Sequence, residues 1–356
     1  MTTQESPMNI ALCHHYSLTF YGGGERFLID AAKQLAKRGH NVVIYALPLG
    51  RRPINLDGPL QGIEYHESFI HNIRDADVSY FVYAPLVHNL FVGKSPRIGA
   101  LHAFVFLDEL QHTEIRTISH ADFIRCFGFS RFVSNIYFDR FEKRKLRGFD
   151  AVHVINREAL KLFNGEKRVY YVPNWIDTSR FKPVEEKSTK FSVLFAGRRT
   201  KGFSTFVEIA NLLKNKEIDF IAIGPDLEST GNVKNLGFIT DVEELIRLYS
   251  KVHFLVYTSK TDVFPLTLLE AAACKIPIVA LPTRAIQGLN LPLFYATSVK
   301  EFAQVTCELQ NVWHTRREHY IKLSDGMRAE AIKYDLNDVF PKFLDMLKEV
   351  ATLSAN

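Results

Sequence analysis

Short apolar runs alternate with helical stretches along most of the chain. Ile10, Ala11, Leu12 and Cys13 form the first run, and Val42, Val43, Ile44, Tyr45 and Ala46 form the second. Between them Leu28, Ala31, Ala32, Leu35 and Ala36 recur at helical spacing on one face. The pattern predicts a strand at 9–13, a helix at 25–38 and a strand at 42–46, with Gly39 at the C′ position that favours a left-handed backbone. Further strands are predicted at 78–82, 97–101, 151–155 and 169–172, separated by helical stretches, which implies a parallel sheet covered on both faces. The pattern breaks over 173–190, where Pro173, Pro183 and the charged Glu185-Glu186-Lys187 cluster have the composition of an interdomain linker. A second series follows, with strands at 191–196, 218–223, 254–257 and 278–280 and helices at 203–213, 242–250 and 266–273. From 299 onward the chain is helical in pattern. The expectation is an α/β protein of two doubly wound domains: 1–173, a linker 174–190, a second domain 191–330, and a last helix within 331–356 that returns to the first domain.

Composition adds exclusions. With 356 residues, 47% hydrophobic and 23% charged, the chain is that of a globular protein and excludes a disordered or collagen-like one. A net charge of +5 argues by itself for neither nucleic acid nor membrane. Cys13, Cys126, Cys274 and Cys307 are far apart and lack metal-ligand spacing, so neither a zinc site nor a disulfide framework is expected, and a reducing, cytoplasmic setting fits. No apolar run approaches the roughly 18 residues of a spanning helix, so neither signal peptide nor anchor is expected.

Candidate chemistry clusters at strand ends. Tyr21-Gly22-Gly23-Gly24-Glu25-Arg26 stands between the first strand and the first helix, where backbone N–H groups can approach an anion without hindrance from a Cβ. It does not complete GxGxxG, and the second strand ends in Ala46-Leu47-Pro48 with no acidic residue for a ribose, which disfavours a nicotinamide site. Gly197-Arg198-Arg199-Thr200-Lys201-Gly202 follows the strand at 191–196, and its cations suit a diphosphate clamp. Asp262 lies in the loop after the strand at 254–257, and Glu270 falls one turn inside the helix that starts near Leu266. Amid Leu268, Leu269, Ala271, Ala272 and Ala273, that glutamate is expected to be partly buried and paired.

Residues 259–280 resemble the donor-site signature of retaining GT-B glycosyltransferases of family 4, in which two acidic residues are separated by seven others. Asp262 and Glu270 have that separation, with Phe264-Pro265-Leu266 as the intervening turn. The resemblance extends to Gly22-Gly23-Gly24-Glu25-Arg26, to Pro173-Asn174-Trp175-Ile176-Asp177 with Phe181 and Pro183, to Gly197-Arg198 with Lys201-Gly202, and to Leu236-Gly237-Phe238. It implies two Rossmann-like domains facing a cleft and transfer of a sugar from a nucleotide-diphosphate donor, with UDP or GDP the expected nucleotide, no cofactor and no metal. Arg198 and Lys201 would neutralise the diphosphate, Glu270 would bind the ribose hydroxyls, and Asp262 would hold sugar hydroxyls. N–H groups around Phe264, Pro265 and Leu266 would help hold phosphate, Pro265 supplying shape only. Phe238 and Ile239 would wall the base pocket, and Gly23 and Gly24 would close on the phosphate from the other domain. His102, after the strand at 97–101, stands where the family often places an active-site histidine, with His14 and His15 as weaker competitors.

The chain departs from the family pattern in three places: Asp262 stands where Glu is usual, Val263 where Gly is usual, and Arg198 and Lys201 are two residues closer than is common. Trp175 replaces a common linker glycine. The rival readings are a catalytically silent GT-B binding or scaffold protein and a nucleotide-sugar epimerase on the same fold. Asp75-Ala76-Asp77 spells a metal-binding DxD, but it precedes a strand and is read as a surface turn. Over 131–147, six basic residues, Arg131, Arg140, Lys143, Arg144, Lys145 and Arg147, interleave with Phe132, Tyr137, Phe138 and Phe141. That stretch is a candidate for peripheral contact with an anionic membrane carrying a lipid-linked acceptor glycan, against the alternative of an ordinary surface helix.

Overall fold

The computed structural model describes residues 6–82, 88–102, 149–163, 168–260 and 262–355. They divide into two compact units. The first holds the described residues up to 174 together with 339–355, and the second holds those from 175 to 338. The basic stretch 131–147 and Cys126 lie outside the described residues.

Unit 1 is built on a parallel sheet whose described strands are β1 (Asn9–His14), β2 (Asn41–Ala46), β3 (Glu64–Glu67), β5 (Val78–Val82), β7 (Arg97–Leu101), β8 (Ala151–Val154) and β9 (Val169–Tyr171). They lie in the order β3-β2-β1-β5-β7-β8-β9, and two short strands, β4 (His71–Asn72) and β6 (Phe91–Val92), pair separately. The strands at the centre are apolar because both faces are covered; all five residues of β5 are buried. The glutamate- and histidine-bearing β3 shows no such run, which is why periodicity misses it. It sits at the sheet edge and alternates exposed with half-buried residues. Register brings His14 beside Ala46 on one side and Val82 on the other, so these strands end together. Helix α1 (Gly23–Lys37) begins two residues before the helix predicted from the apolar pattern. Its first turn therefore includes Gly23 and Gly24, and Gly39 follows its end at φ +86°, as a left-handed terminator requires.

Unit 2 repeats the plan with β10 (Ser192–Ala196), β11 (Asp219–Ile223), β12 (Val233–Asn235), β13 (Phe254–Tyr257), β14 (Ile278–Ala280) and β15 (Phe294–Tyr295), ordered β12-β11-β10-β13-β14-β15 and parallel throughout. Helices α2 (Phe203–Leu212), α3 (Val242–Lys251) and α4 (Leu266–Ala273) connect them. One aromatic core, centred on Phe191, Phe195, Phe206, Phe220, Phe254 and Phe302, joins the sheet to α2 and to helix α6 (Val299–Thr315), which follows the short helix α5 (Arg284–Gln287). Helix α7 (Arg317–Ala331) packs near α4 and α6, and the last helix, α8 (Leu336–Ala351), starts in unit 2 and runs on as part of unit 1. There Phe343 meets Tyr80 and Phe27 edge to face at ring separations of 5.1 and 5.7 Å.

In each sheet the strand order reverses direction once, between β1 and β5 in unit 1 and between β10 and β13 in unit 2. Chain segments leaving such neighbouring strands part to opposite sides and open a crevice at the carboxyl ends, the usual place for a ligand in doubly wound sheets.

Candidate functional site

In unit 2 the crevice is flanked by the segments after β10 and β13. After β10, Gly197 and Arg198 lead into a single 3₁₀ turn, Arg199–Lys201, which ends at Gly202 with φ +89°. A Cβ there would lie 2.4 Å from Thr258 Oγ1, so both conformation and space demand glycine. Thr258 Oγ1 lies near two carbonyls, of Lys201 at 3.1 Å and of Gly202 at 2.9 Å, and ties the turn to the end of β13. Gly224, after β11, approaches the same turn so closely that a Cβ would overlap the Gly197 carbonyl oxygen at 1.9 Å.

This fastening sets Lys201 against Asp262. Lys201 Nζ lies 2.5 Å from Asp262 Oδ1, and the Tyr257 hydroxyl donates to Asp262 Oδ2. Burial by itself raises a carboxyl pKa; here the Lys201 charge and the hydrogen bonds from Lys201, Ser259 and Tyr257 outweigh it and hold Asp262 below its usual range. Tyr257, buried beside that carboxylate, is pushed well above the ordinary phenol range and stays a donor. Each side chain of the pair is about a quarter exposed, at 24% for Lys201 and 23% for Asp262, so both can meet a solute. Arg198 is half-buried on the same turn.

Helix α4 begins at Leu266 with Pro265 as its N-cap, and no side chain caps it. The N–H groups of Leu266 and Thr267 thus end the helix toward the loop that carries Asp262, a ready site for an anion. Phe264 and Val263 are buried, Phe264 lying 5.6 Å from the Tyr334 ring, so both side chains pack inward beneath the turn. Glu270 is more deeply placed than its neighbours predicted, at 3% exposure, and accepts from the Tyr249 hydroxyl at 3.2 Å. Phe238 is 39% exposed and Ile239 half-buried after Gly237, whose φ is +83°.

In unit 1 the corresponding crevice holds Gly23, Gly24, His14 and His102. A Cβ on Gly23 would meet open space, whereas one on Gly24 would touch His14 Nε2 and Val82 at 3.5 and 3.6 Å. Glu25 turns back to accept from the Gly22 N–H at 2.7 Å and lies 3.4 Å from His14 Nε2. His14 Nδ1 accepts from the Tyr16 N–H at 3.0 Å, so both ring nitrogens are engaged and His14 serves the loop. His102 follows β7, half-buried, with the Tyr80 hydroxyl 2.9 Å from Nε2.

The structure therefore brings Lys201, Asp262, Arg198 and the α4 N-terminus together in one unit, and Gly23, Gly24 and His102 to the sheet crevice of the other. The sequence reading missed Tyr257, Tyr249, Tyr80 and His153; their signal, a polar aromatic ending or lining an apolar run, is shared by ordinary core residues. Asp75 and Asp77 lie apart from both crevices: Asp75 turns the chain at φ +58°, and Asp77 accepts from the Asn9 N–H at 2.7 Å at the start of β1. Among the described residues, no group of three or more His, Cys, Asp or Glu could hold a metal ion, and Cys13, Cys274 and Cys307 are free thiols. Nor, among the described residues, is any helix long and apolar enough to cross a membrane.

Comparison with known proteins follows the same division. Residues 21–180 match the family described as Glycosyltransferase Family 4, and 190–311 match Glycosyl transferases group 1. A curated relative, the alpha-galactosylglucosyldiacylglycerol synthase of Streptococcus pneumoniae, is 27% identical over 32% of this chain; the match spans 37% of that protein's length. The structure of Anabaena HepE in complex with UDP and glucose superposes with a TM-score of 0.68 at 16% identity, covering 98% of this chain and 100% of the other. Sucrose-phosphate synthase of Thermosynechococcus elongatus superposes at 0.70 with 14% identity and the same coverage.

Proposed function

This chain belongs to the glycosyltransferases, with a Family 4 domain followed by a group 1 domain on the GT-B fold, and we propose that it moves a hexose from a nucleotide-diphosphate donor to a glycan, lipid or small-molecule acceptor with retention of anomeric configuration. The observation that carries the reading is the convergence, at the reversal point of the second sheet, of the Arg198–Lys201 cations, the Asp262 carboxylate and the uncapped N-terminus of α4.

Each part answers a need of the reaction. Negative charge grows on the diphosphate as the bond to the sugar breaks, and fixed cations and helix N–H groups stabilise it without reorganising. Arg198 offers a planar fork and Lys201 a point charge for this purpose, which lets the reaction proceed without a dedicated metal. In the free protein Lys201 is balanced by Asp262. A bound donor takes over both partners: phosphate oxygens meet Lys201, and sugar hydroxyls donate to Asp262 while Tyr257 keeps it in place. Glu270 serves the ribose hydroxyls from one turn into α4, sharing its carboxylate with Tyr249. Phe238 and Ile239 wall the base. By resemblance to the family, Gly23 and Gly24 are assigned to phosphate and His102 to the transferring sugar.

The Anabaena HepE complex contains UDP and glucose, which supports starting with uridine nucleotides. Thermal-shift screening of UDP-, GDP- and ADP-sugars, followed by NMR of the product's anomeric coupling, tests the proposal. A stabilising donor and a product of unchanged anomeric configuration are expected. Inversion would overturn retention, conversion of donor without acceptor would favour an epimerase, and binding without turnover a silent scaffold.

A further inference from the structure

Four polar groups form a file through the interior of unit 1, and the first of them fixes the proton on the last. The carbonyl of Val172 lies 2.8 Å from His153 Nε2, His153 Nδ1 lies 2.7 Å from the Tyr80 hydroxyl, and that hydroxyl lies 2.9 Å from His102 Nε2. A carbonyl only accepts, so His153 Nε2 must donate to it. In a neutral imidazole the other nitrogen is then an acceptor, and His153 Nδ1 receives the Tyr80 O–H. With its single proton committed, the Tyr80 oxygen accepts from His102, whose proton therefore sits on Nε2.

Burial removes the alternatives. Tyr80 and His153 are 0% and 1% exposed. Loss of hydration pushes His153 down to about 4 and, with His153 and His14 nearby, holds His102 well below the usual imidazole range. Both rings are neutral at neutral pH, and Tyr80, buried, keeps its proton. Phe27, 4.6 Å from the His102 ring, and Phe343, 5.1 Å from Tyr80, hold the file in place. Its outer end differs from its inner end: His102 is half-buried at the carboxyl end of β7, and among the described residues no further hydrogen bond engages it. A single carbonyl would have satisfied Tyr80; two histidines in series instead transmit a direction.

We propose that Tyr80 and His153 are positioning residues that hold His102 as the Nε2–H tautomer, so that its Nδ1 presents a lone pair to a sugar hydroxyl in the transfer reaction. This rests on the reading above that His102 serves the transferring sugar. The device couples a buried carbonyl to the polarity of one nitrogen at the crevice, and it needs no charge to do so.

Long-range proton–nitrogen NMR of the full-length protein labelled in histidine reads each ring's tautomer without substrate. Wild type should show His102 protonated at Nε2. Tyr80→Phe should leave a mixture of tautomers. His153→Phe, which frees the Tyr80 proton to point at His102, should invert it to Nδ1–H, while His153→Asn keeps an acceptor for Tyr80 and should retain the wild-type tautomer. With UDP-glucose as donor, kcat should fall about tenfold in Tyr80→Phe and His153→Phe, the scale of one misdirected hydrogen bond, with KM within about twofold and recovery in His153→Asn. A wild-type His102 protonated at Nδ1, or one unmoved by Tyr80→Phe and His153→Phe, overturns the proposal. Full turnover in His102→Ala would instead overturn the role given to His102, whereas loss in His102→Ala with full turnover in Tyr80→Phe and His153→Phe overturns the relay alone.

Discussion

Lys201 Nζ and Asp262 Oδ1 stand 2.5 Å apart across the reversal point of the second sheet, one carried by the turn after β10 and the other by the loop after β13. The pair joins the group suited to a diphosphate with the group suited to a sugar hydroxyl, so each preorganises the other before a donor arrives. Its members should respond differently to mutation.

Lys201→Ala and Arg198→Ala should each weaken nucleotide-sugar binding. Loss of one charge-assisted contact costs on the order of 2 kcal/mol, or roughly 30-fold in affinity. Titration calorimetry with the donor found by screening checks this, and unchanged affinity in both variants removes the clamp.

Asp262→Asn preserves shape but releases Lys201 from its counter-charge. Nucleotide affinity should hold or rise while kcat falls by tenfold or more, because the proposed function assigns the carboxylate to the sugar and not to the diphosphate. Steady-state kinetics with varied donor separates the two effects; parallel loss of binding and turnover would make Asp262 a structural partner of Lys201.

Turnover should survive excess EDTA, since the proposed function assigns the stabilising positive potential to Arg198, Lys201 and the α4 N-terminus, which no side chain caps. Loss of activity restored by magnesium or manganese would point to a divalent ion in the reaction and return Asp75 and Asp77 to consideration.

Gly202→Ala should destabilise unit 2 by about 2 kcal/mol or more, because its φ is +89° and a Cβ would press on Thr258 at 2.4 Å. As Gly202 closes the turn that carries Lys201, donor affinity should fall with it. Urea unfolding and calorimetry on the same variant measure both, and a wild-type midpoint would show that the turn can relax.

Acid should weaken unit 2 through His253. This ring is fully buried beside Trp313, and burial, then the Lys187 and Arg317 charges, push its pKa down to about 3. Between its ordinary value near 6.5 and about 3, the unfolded chain binds a proton that the folded one refuses, so stability falls as pH falls across that window. At about 1.4 kcal/mol per pH unit the loss is on the order of 3 to 5 kcal/mol. His253→Gln should flatten that slope in urea melts from pH 7 to about 4.

The sequence by itself determined the α/β class, the two doubly wound sheets and the ends of strands such as β5, β7, β13 and β14, because central parallel strands buried on both faces have no choice but to be short apolar runs. It also marked Gly39 as a left-handed helix terminator, and its φ is +86°, but nothing local singled out Gly224, where a Cβ would overlap the Gly197 carbonyl. It did not reveal β3 or the two-residue strands, whose pairing comes from a neighbour and not from their own pattern. Tertiary structure alone decided the partners. Lys201 and Asp262 are separated by 60 intervening residues and Tyr80 and His153 by 72; the first pair meets because β10 and β13 are neighbours in their sheet, the second because β5 and β8 flank β7. Tertiary structure also sorted the histidines, engaging both nitrogens of His14 and placing His102 at the end of a file of bonds. Local spacing encodes burial and backbone shape; which nitrogen holds a proton is settled by what lies three ångströms away.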